Sequence, residues 1–332
     1  MLIDGLQCGH FTRETFADLK RGGVGCVTIT CGFWEGPLET MDLIGRWRDF
    51  GRANEDLMAF ARTGREIREI AASGRVATLV GTQNTELLSN RIGFVELFAD
   101  MGLRVMQLTY NTQNSIGSSC YEPVDTGLTR FGREVVQEMN RVGILVDLSH
   151  VGNKTSLDAI EASEKPVAVT HANWASLYPH KRNKPDDVLR ALKEHRGILG
   201  CATYRNITGD EYCRSVEAWA GMVARTVEMM GIDHVGIGTD RSHNHKEADY
   251  LWMRKGRWTR GGGYGASATG SLTPVAPADF FREIHQIGVI PEGLRKAGFS
   301  AEEVDKITHG NWLRIYDEVF SPGEERRAAK AA

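Results

Sequence analysis

The chain has no cysteine pair at CxxC spacing, no surplus of either charge and no long apolar run. Its six cysteines (Cys8, Cys26, Cys31, Cys120, Cys201 and Cys213) are scattered. That distribution argues against a disulfide framework and fits reduced thiols in a cytoplasmic protein. Forty Lys and Arg stand against 43 Asp and Glu, a formal net charge of −3. Such a balance leaves no electrostatic footprint for gripping nucleic acid or an anionic membrane. No segment approaches the ~18 consecutive apolar residues of a membrane span. Met1-Leu2-Ile3-Asp4-Gly5 leads straight into a strand-like run, with no basic region and apolar core of a signal peptide. The turn after that run, Asp4-Gly5-Leu6-Gln7-Cys8, is not a Gly-rich phosphate turn.

What is present is a globular composition, 332 residues with 41% hydrophobic and 25% charged. Apolar material on this scale offsets chain entropy and excludes disorder. Eight β-branched runs read as strands: Leu2–Asp4, Cys26–Thr30, Ala77–Val80, Val105–Leu108, Ile144–Leu148, Val167–Thr170, Ile198–Ala202 and Val235–Gly238. Segments of helical period lie between them, among them Ile92–Met101, Phe131–Arg141, Asp186–His195 and Val216–Met230. Glu39 to Ser73 reads as one or two helices. Several strands are apolar at nearly every position, the pattern of parallel strands covered on both faces. Eight β-then-α units predict an α/β fold, a (β/α)8 TIM barrel, over an open doubly wound sheet. Residues 1–320 read as one barrel domain with a long glycine-bearing loop at 242–278, and 321–332 as a flexible tail.

In such a barrel, function sits at the carboxyl ends of the strands. Those ends carry Asp4, Gln83 with Asn84, Tyr110 with Asn111, Asp147 with His150, His171 and Asp240. One histidine at a strand end is ordinarily structural. Two histidines and an aspartate converging from three strands suit a hydrolytic metal site.

Asp147-Leu148-Ser149-His150, then Thr170-His171, then Arg182-Asn183-Lys184-Pro185-Asp186-Asp187 resembles the core of the membrane (renal) dipeptidase family. Gly236-Ile237-Gly238-Thr239-Asp240 resembles that family's eighth-strand motif, and Gly310-Asn311-Trp312-Leu313-Arg314 its C-terminal helix signature. The resemblance runs from Ile3 to Val319. It implies an amidohydrolase-type barrel, often dimeric, that cleaves short peptides with two bridged zinc ions. His150 and His171 match the histidines of one zinc, Arg182 the arginine that grips the substrate carboxylate, and Asp240 the aspartate of the reacting centre.

The chain also departs from the pattern. Leu6 and Cys8 stand where the family's first strand carries His-x-Asp, Gln83 stands for the bridging glutamate, and Tyr110 for the histidine facing the scissile group. All four changes fall on the first four strands. The expectation is therefore a mononuclear zinc site at His150 and His171, with Cys8 as a further candidate ligand. The predicted reaction is cleavage of a C–N bond in a small carboxylate-bearing substrate. Asp240 would be the base, Arg182 the bidentate clamp and Tyr110 a carbonyl donor, with Asn111 and Gln83 on the substrate wall. The alternatives are a catalytically inactive binding homologue and a metal-free acid/base enzyme acting on a small amino compound. Other features take plainer readings. His243 and His245 are surface or lid residues. Arg254, Lys255, Arg257 and Arg260 beside Trp252 and Trp258 form a lid or subunit contact, and Arg182 would otherwise pair with Asp186 or Asp187.

Overall fold

The computed structural model describes residues 1–257 and 275–320. Ten strands lie in one sheet: β1 (Leu2–Gly9), β2 (Val24–Gly32), β3 (Met58–Phe60), β4 (Val76–Thr82), β5 (Leu103–Gln107), β6 (Leu145–Asp147), β7 (Ala168–Ala172), β8 (Ile198–Cys201), β9 (Val235–Ile237) and β10 (Arg241–His243). All neighbours run parallel. The eight strands β1, β2 and β4 to β9 close into a barrel where Asp4 of β1 pairs Ile237 of β9. The TIM-barrel architecture is thus as the strand pattern predicts. Buried apolar side chains on both faces of each strand explain the near-continuous β-branched runs.

Two further strands go beyond the sequence pattern. β3 lies within the segment that reads as purely helical, between the helices Pro37–Ala53 and Gly64–Ala72. It pairs the first half of β4 through Met58, Ala59 and Phe60, and β5 takes over from Val80 onward. A three-residue strand carries too little periodicity to show in sequence. β10 similarly continues along β1 after β9 has left it: Asp4 faces Ile237, and Gln7 to Gly9 face Arg241 to His243. The segment that reads as a loop from residue 242 therefore begins inside a strand and also carries the helix Glu247–Lys255. Its remainder at 258–274, with Trp258, Arg260 and most of its glycines, lies outside the described residues, as does the tail at 321–332.

The amino-terminal pole of the barrel is closed by the last helix, Asn311–Val319. Trp312 is fully buried among Ile3, Cys26, Ala77, Val105, Leu145, Ala168 and Ile198, all on barrel strands. Its indole Nε1 donates to Ile237 O at 3.0 Å. Glycine at 5, 200 and 236 makes room for the ring, because a Cβ at any of these would stand 2.5 to 3.1 Å from it. Tyr316 and Phe320 extend the stack below, with ring centroids 5.6 and 5.0 Å apart. Every strand of the barrel leans on this plug. Trp312→Ala should cost about 3–5 kcal/mol in urea denaturation, and a loss under about 1 kcal/mol would show that the pole is closed by other means.

Candidate functional site

At the opposite pole, two buried carboxylates shape the strand ends. Asp147, the last residue of β6, accepts four hydrogen bonds: from Ser149 N (3.0 Å) and Oγ (2.6 Å), and from Thr170 N (3.0 Å) and Oγ1 (2.7 Å). Asp4 on β1 accepts four as well, from Leu6 N (3.3 Å), Gln7 Nε2 (2.7 Å), Thr239 N (2.8 Å) and Thr239 Oγ1 (2.5 Å). Burial raises the pKa of both, and the donors oppose that shift. The two aspartates are staples, tying β6 to β7 and β1 to β9. The sequence pattern groups them with the chemistry-bearing strand ends; their oxygens are instead occupied by the protein itself.

The first staple positions two imidazoles. Ser149 Oγ accepts from His171 N at 3.1 Å, and Ser149 leads directly into His150. The Thr170 hydroxyl gives its proton to Asp147, so at 2.8 Å it accepts from His171 Nδ1–H. His150 Nδ1 lies 2.7 Å from Asn111 Oδ1, an acceptor that likewise places the proton on Nδ1. Each ring is left with an unprotonated Nε2, and that of His171 is buried without a hydrogen-bond partner. Burial, and then the nearby Arg182 guanidinium, hold both imidazoles well below the usual histidine pKa and therefore neutral. The ring centroids are 5.3 Å apart. An outer hydrogen bond that fixes the tautomer and a free second nitrogen is how a histidine is prepared for a metal.

The second staple positions Asp240. Thr239 is fixed to Asp4, and Asp240 N donates to Leu6 O at 3.1 Å. The backbone passes Asp240 with φ of +57° before resuming as β10. That left-handed kink, which a short polar side chain tolerates, ends the three-residue break between β9 and β10, and Asp240 lines the cavity at this pole. Burial pushes its carboxyl up to about 7, although Arg182 opposes the shift.

The cavity measures about 260 Å3 and is bounded by His150, Asp240, Arg182, Tyr110, Gln83 and Cys8, with further aromatic and arginine walls. Tyr110 stacks over His150 at 4.4 Å between centroids and is backed by Phe33 and Trp34. Gln83 donates from Nε2 to Thr30 Oγ1 at 3.0 Å. Arg182 does not pair with Asp186 or Asp187. It donates from Nη1 to Ser149 O and from Nη2 to His171 O at 3.0 Å, so the strand ends that carry the imidazoles also hold the guanidinium.

Three sequence expectations meet a local structure that the pattern does not show. Asn111 is fully buried and absent from the cavity wall, so it orients His150 and does not touch a substrate there. Cys8 reaches the cavity, but burial and the adjacent Asp240 push its thiol up to about 12, and it hydrogen-bonds Ser242 Oγ at 3.3 Å. The thiol is therefore the favoured form in the metal-free protein, and a bound cation would oppose that preference. Among the described residues no three His, Cys, Asp or Glu side chains gather as a ligand set. His243, finally, is a buried member of β10 bonded to Gln7 Oε1 at 2.8 Å, not a surface residue. The described cysteines are all free, as expected.

The cavity walls also include Tyr121, Tyr204, Tyr250 and Arg254, which the sequence pattern does not place there. Tyr250 and Arg254 lie on the helix Glu247–Lys255, which Trp252 Nε1 to Glu35 Oε1 (2.7 Å) and Trp34 Nε1 to Met253 O (3.3 Å) clamp over the end of β2. The described part of that basic, aromatic stretch is thus a helix that forms part of the cavity wall. Arg257 pairs Glu39 at 2.7 Å.

The staple at β6 makes a direct test. Asp147→Asn sets an amide NH2 against donors that all require an acceptor. It should destabilise the fold by about 2–4 kcal/mol in urea denaturation. A fully stable variant would mean that the four bonds to Asp147 contribute nothing net.

The family model described as membrane dipeptidase (peptidase family M19) matches residues 18–246. Dipeptidase verJ of Clonostachys rogersoniana is 36% identical over 187 residues, 56% of this chain and 48% of that protein. Dipeptidase tcpJ of Claviceps purpurea is 36% identical over 188 residues, 56% of this chain and 44% of that protein. The matched region thus spans about half the length of these curated relatives. Among solved structures, an amidohydrolase from Pseudomonas aeruginosa superposes with a TM-score of 0.89 at 33% identity, covering 96% of each chain. A metallo peptidase from Rhodobacter sphaeroides, liganded with a phosphinate mimic of the dipeptide L-Ala-D-Ala, has the same fold. Its TM-score is 0.78 at 19% identity, over 96% of this chain and 99% of that one. The barrel, its two histidine strand ends and a family match over most of its length agree: the chain belongs to the membrane dipeptidase family, peptidase family M19.

Proposed function

We propose that this protein is a metal-dependent hydrolase that cleaves a C–N bond, peptide or amide, in a small carboxylate-bearing substrate. The observation that carries the reading is the pair of neutral imidazoles. Each has Nδ1 tied to an acceptor and Nε2 without one, and the His171 nitrogen is an orphan inside the protein.

Those two nitrogens fit a divalent ion, zinc by family precedent. A second ion is not provided for. Leu6 offers no donor atom, Cys8 favours its thiol form in the metal-free protein, and neutral Gln83 cannot offset the repulsion between two dications. His150 and His171 would hold the ion, which when bound supplies Lewis-acid polarisation of the scissile carbonyl.

The remaining roles belong to the chain's own side chains. The unused donors of Arg182 bind the substrate carboxylate and fix its orientation. Tyr110, whose phenol burial keeps protonated, donates to the scissile carbonyl oxygen. Asp240 takes a proton from the attacking water and returns it to the departing nitrogen, which leaves as an amine. A carboxyl poised near neutrality serves both steps. The loss of the first-strand ligands favours one further reading, a homologue that binds such molecules without turning them over.

The base must be ionised to act, so hydrolysis of simple dipeptides should rise as pH increases through about 7. Asp240→Asn should remove that limb and lower kcat by about 100- to 10,000-fold. A pH profile flat across the range around neutrality in the parent protein would remove Asp240 from the role.

Metal content is a separate test. Elemental analysis after zinc loading should give at most one tightly held ion per chain, lost in His171→Ala and kept in Leu6→Ala. Two equivalents would overturn the single site. None at all would favour the non-catalytic homologue. The protein is expected to act as a homodimer in the cytoplasm, without nucleic-acid or membrane partners; among the described residues no helix is long and apolar enough to cross a membrane.

A further inference from the structure

The cavity holds more positive charge than one carboxylate requires. Of its lining residues, Arg182, Arg205, Arg241 and Arg254 are cations and Asp240 is the one carboxylate. Two of these arginines are accounted for. Arg205 forms ion pairs with Asp210 at 2.7 Å and Asp279 at 3.1 Å, and Arg241 donates through both Nη atoms to Phe281 O and Arg282 O, with its Nε left buried and unpartnered.

Arg254 is different. It is 7% exposed, its Nη1 is buried without a hydrogen-bond partner, and it pairs with no carboxylate among the described residues. Arg254, Tyr204 and Asp240 all line the cavity. The helix that carries Arg254 is anchored through both tryptophan hydrogen bonds described above. A buried cation with an unmade hydrogen bond is costly unless an anion completes it. A zwitterionic dipeptide brings one carboxylate, and Arg182 already provides for that.

We propose that the substrate of this site is a dianion in its acidic groups, two carboxylates whether or not an ammonium accompanies them, with Arg182 binding one and Arg254 the second. The substrate class is then an acidic dipeptide, or an N-acyl amino acid with a carboxylate at each end. This inference rests on the Arg182 clamp of the proposed function and narrows it. Arg254 becomes the residue that determines specificity, supplied by the segment after β10.

Isothermal titration of the full-length protein with succinate, glutarate and adipate, each against its own monoamide, tests the pairing. The acid and its monoamide have nearly the same size and differ by one charge. At one of the three lengths or more, the parent protein should prefer the diacid by about tenfold or better. Arg254→Gln should bring that ratio close to one while leaving monoamide affinity within about threefold, a change small beside the tenfold effect. Arg254→Lys should retain part of the preference, since it keeps the charge and loses the planar fork.

Equal affinity for diacid and monoamide at all three lengths, with both weakened by Arg182→Lys, would overturn the dianion and leave the carboxylate clamp standing. A diacid preference that survives Arg254→Gln would remove Arg254 from the role. Failure of the parent protein to bind any of the six probes at millimolar concentration would overturn the clamp and the dianion together. Should Arg254→Gln not fold, the parent's ratio and the Arg254→Lys variant still decide the matter.

Discussion

Saturation of two buried carboxylates is the constraint on which the carboxyl-end pole depends. Asp147 accepts four hydrogen bonds from Ser149, just past its own strand, and from Thr170 of β7, and Asp4 accepts four from Leu6 and Gln7 of its own strand and from Thr239, just past β9. An uncompensated charge in this position would cost several kcal/mol. With every partner present, each aspartate ties its own strand to the neighbouring one and fixes the backbone that leaves the barrel there. The residues placed by that arrangement, His150 and His171 in one case and Asp240 in the other, are those to which the proposed function assigns the chemistry. Rigid strand ends carry them, and the staples set their aim.

The same dense burial decides protonation. His150 and His171 lie close to a guanidinium in a region shielded from solvent, and both effects favour the neutral ring. Arg182 is retained there because Ser149 O and His171 O accept from it. Asp240 feels two opposed influences, desolvation upward and Arg182 downward, and ends near neutrality. On the first-strand side burial favours neutral groups in the metal-free protein. Cys8 is held as a thiol, Leu6 fills its position with carbon, and Gln83 spends its amide on Thr30. The site is consequently lopsided. One half offers imidazole nitrogens and the other an aromatic, polar wall in which Tyr110 covers His150.

Much of this was legible in one dimension because period and spacing are local properties. Eight apolar runs separated by helical segments specify parallel strands with crossovers, and a chain with that pattern has few ways to bury them other than a closed barrel. Strand ends followed directly from the runs, and with them the positions of His150, His171 and Asp240. The Trp312 segment was legible as a motif, although its role as plug required knowing that glycine occurs at 5, 200 and 236 on three separate strands. Short elements were not legible. β3 and β10 exist because an edge of β4 and an edge of β1 were vacant beside them, and no pattern within three residues records that.

The sequence by itself determined the barrel, the strand ends that carry polar residues and the presence of Leu6 and Cys8 on the first strand, since those depend on residue type and on order along the chain. Tertiary structure alone decided which polar residues act and which only hold. Asp4, Asp147 and Asn111 looked equivalent to Asp240 in sequence, yet the first three have their oxygens engaged within the protein while Asp240 faces the cavity. It also decided that Arg254, from a segment without clear period, stands buried beside that cavity. The physical reason is that hydrogen-bond satisfaction, burial and charge pairing are relations between residues distant in the chain. They come into existence only when folding brings the partners together.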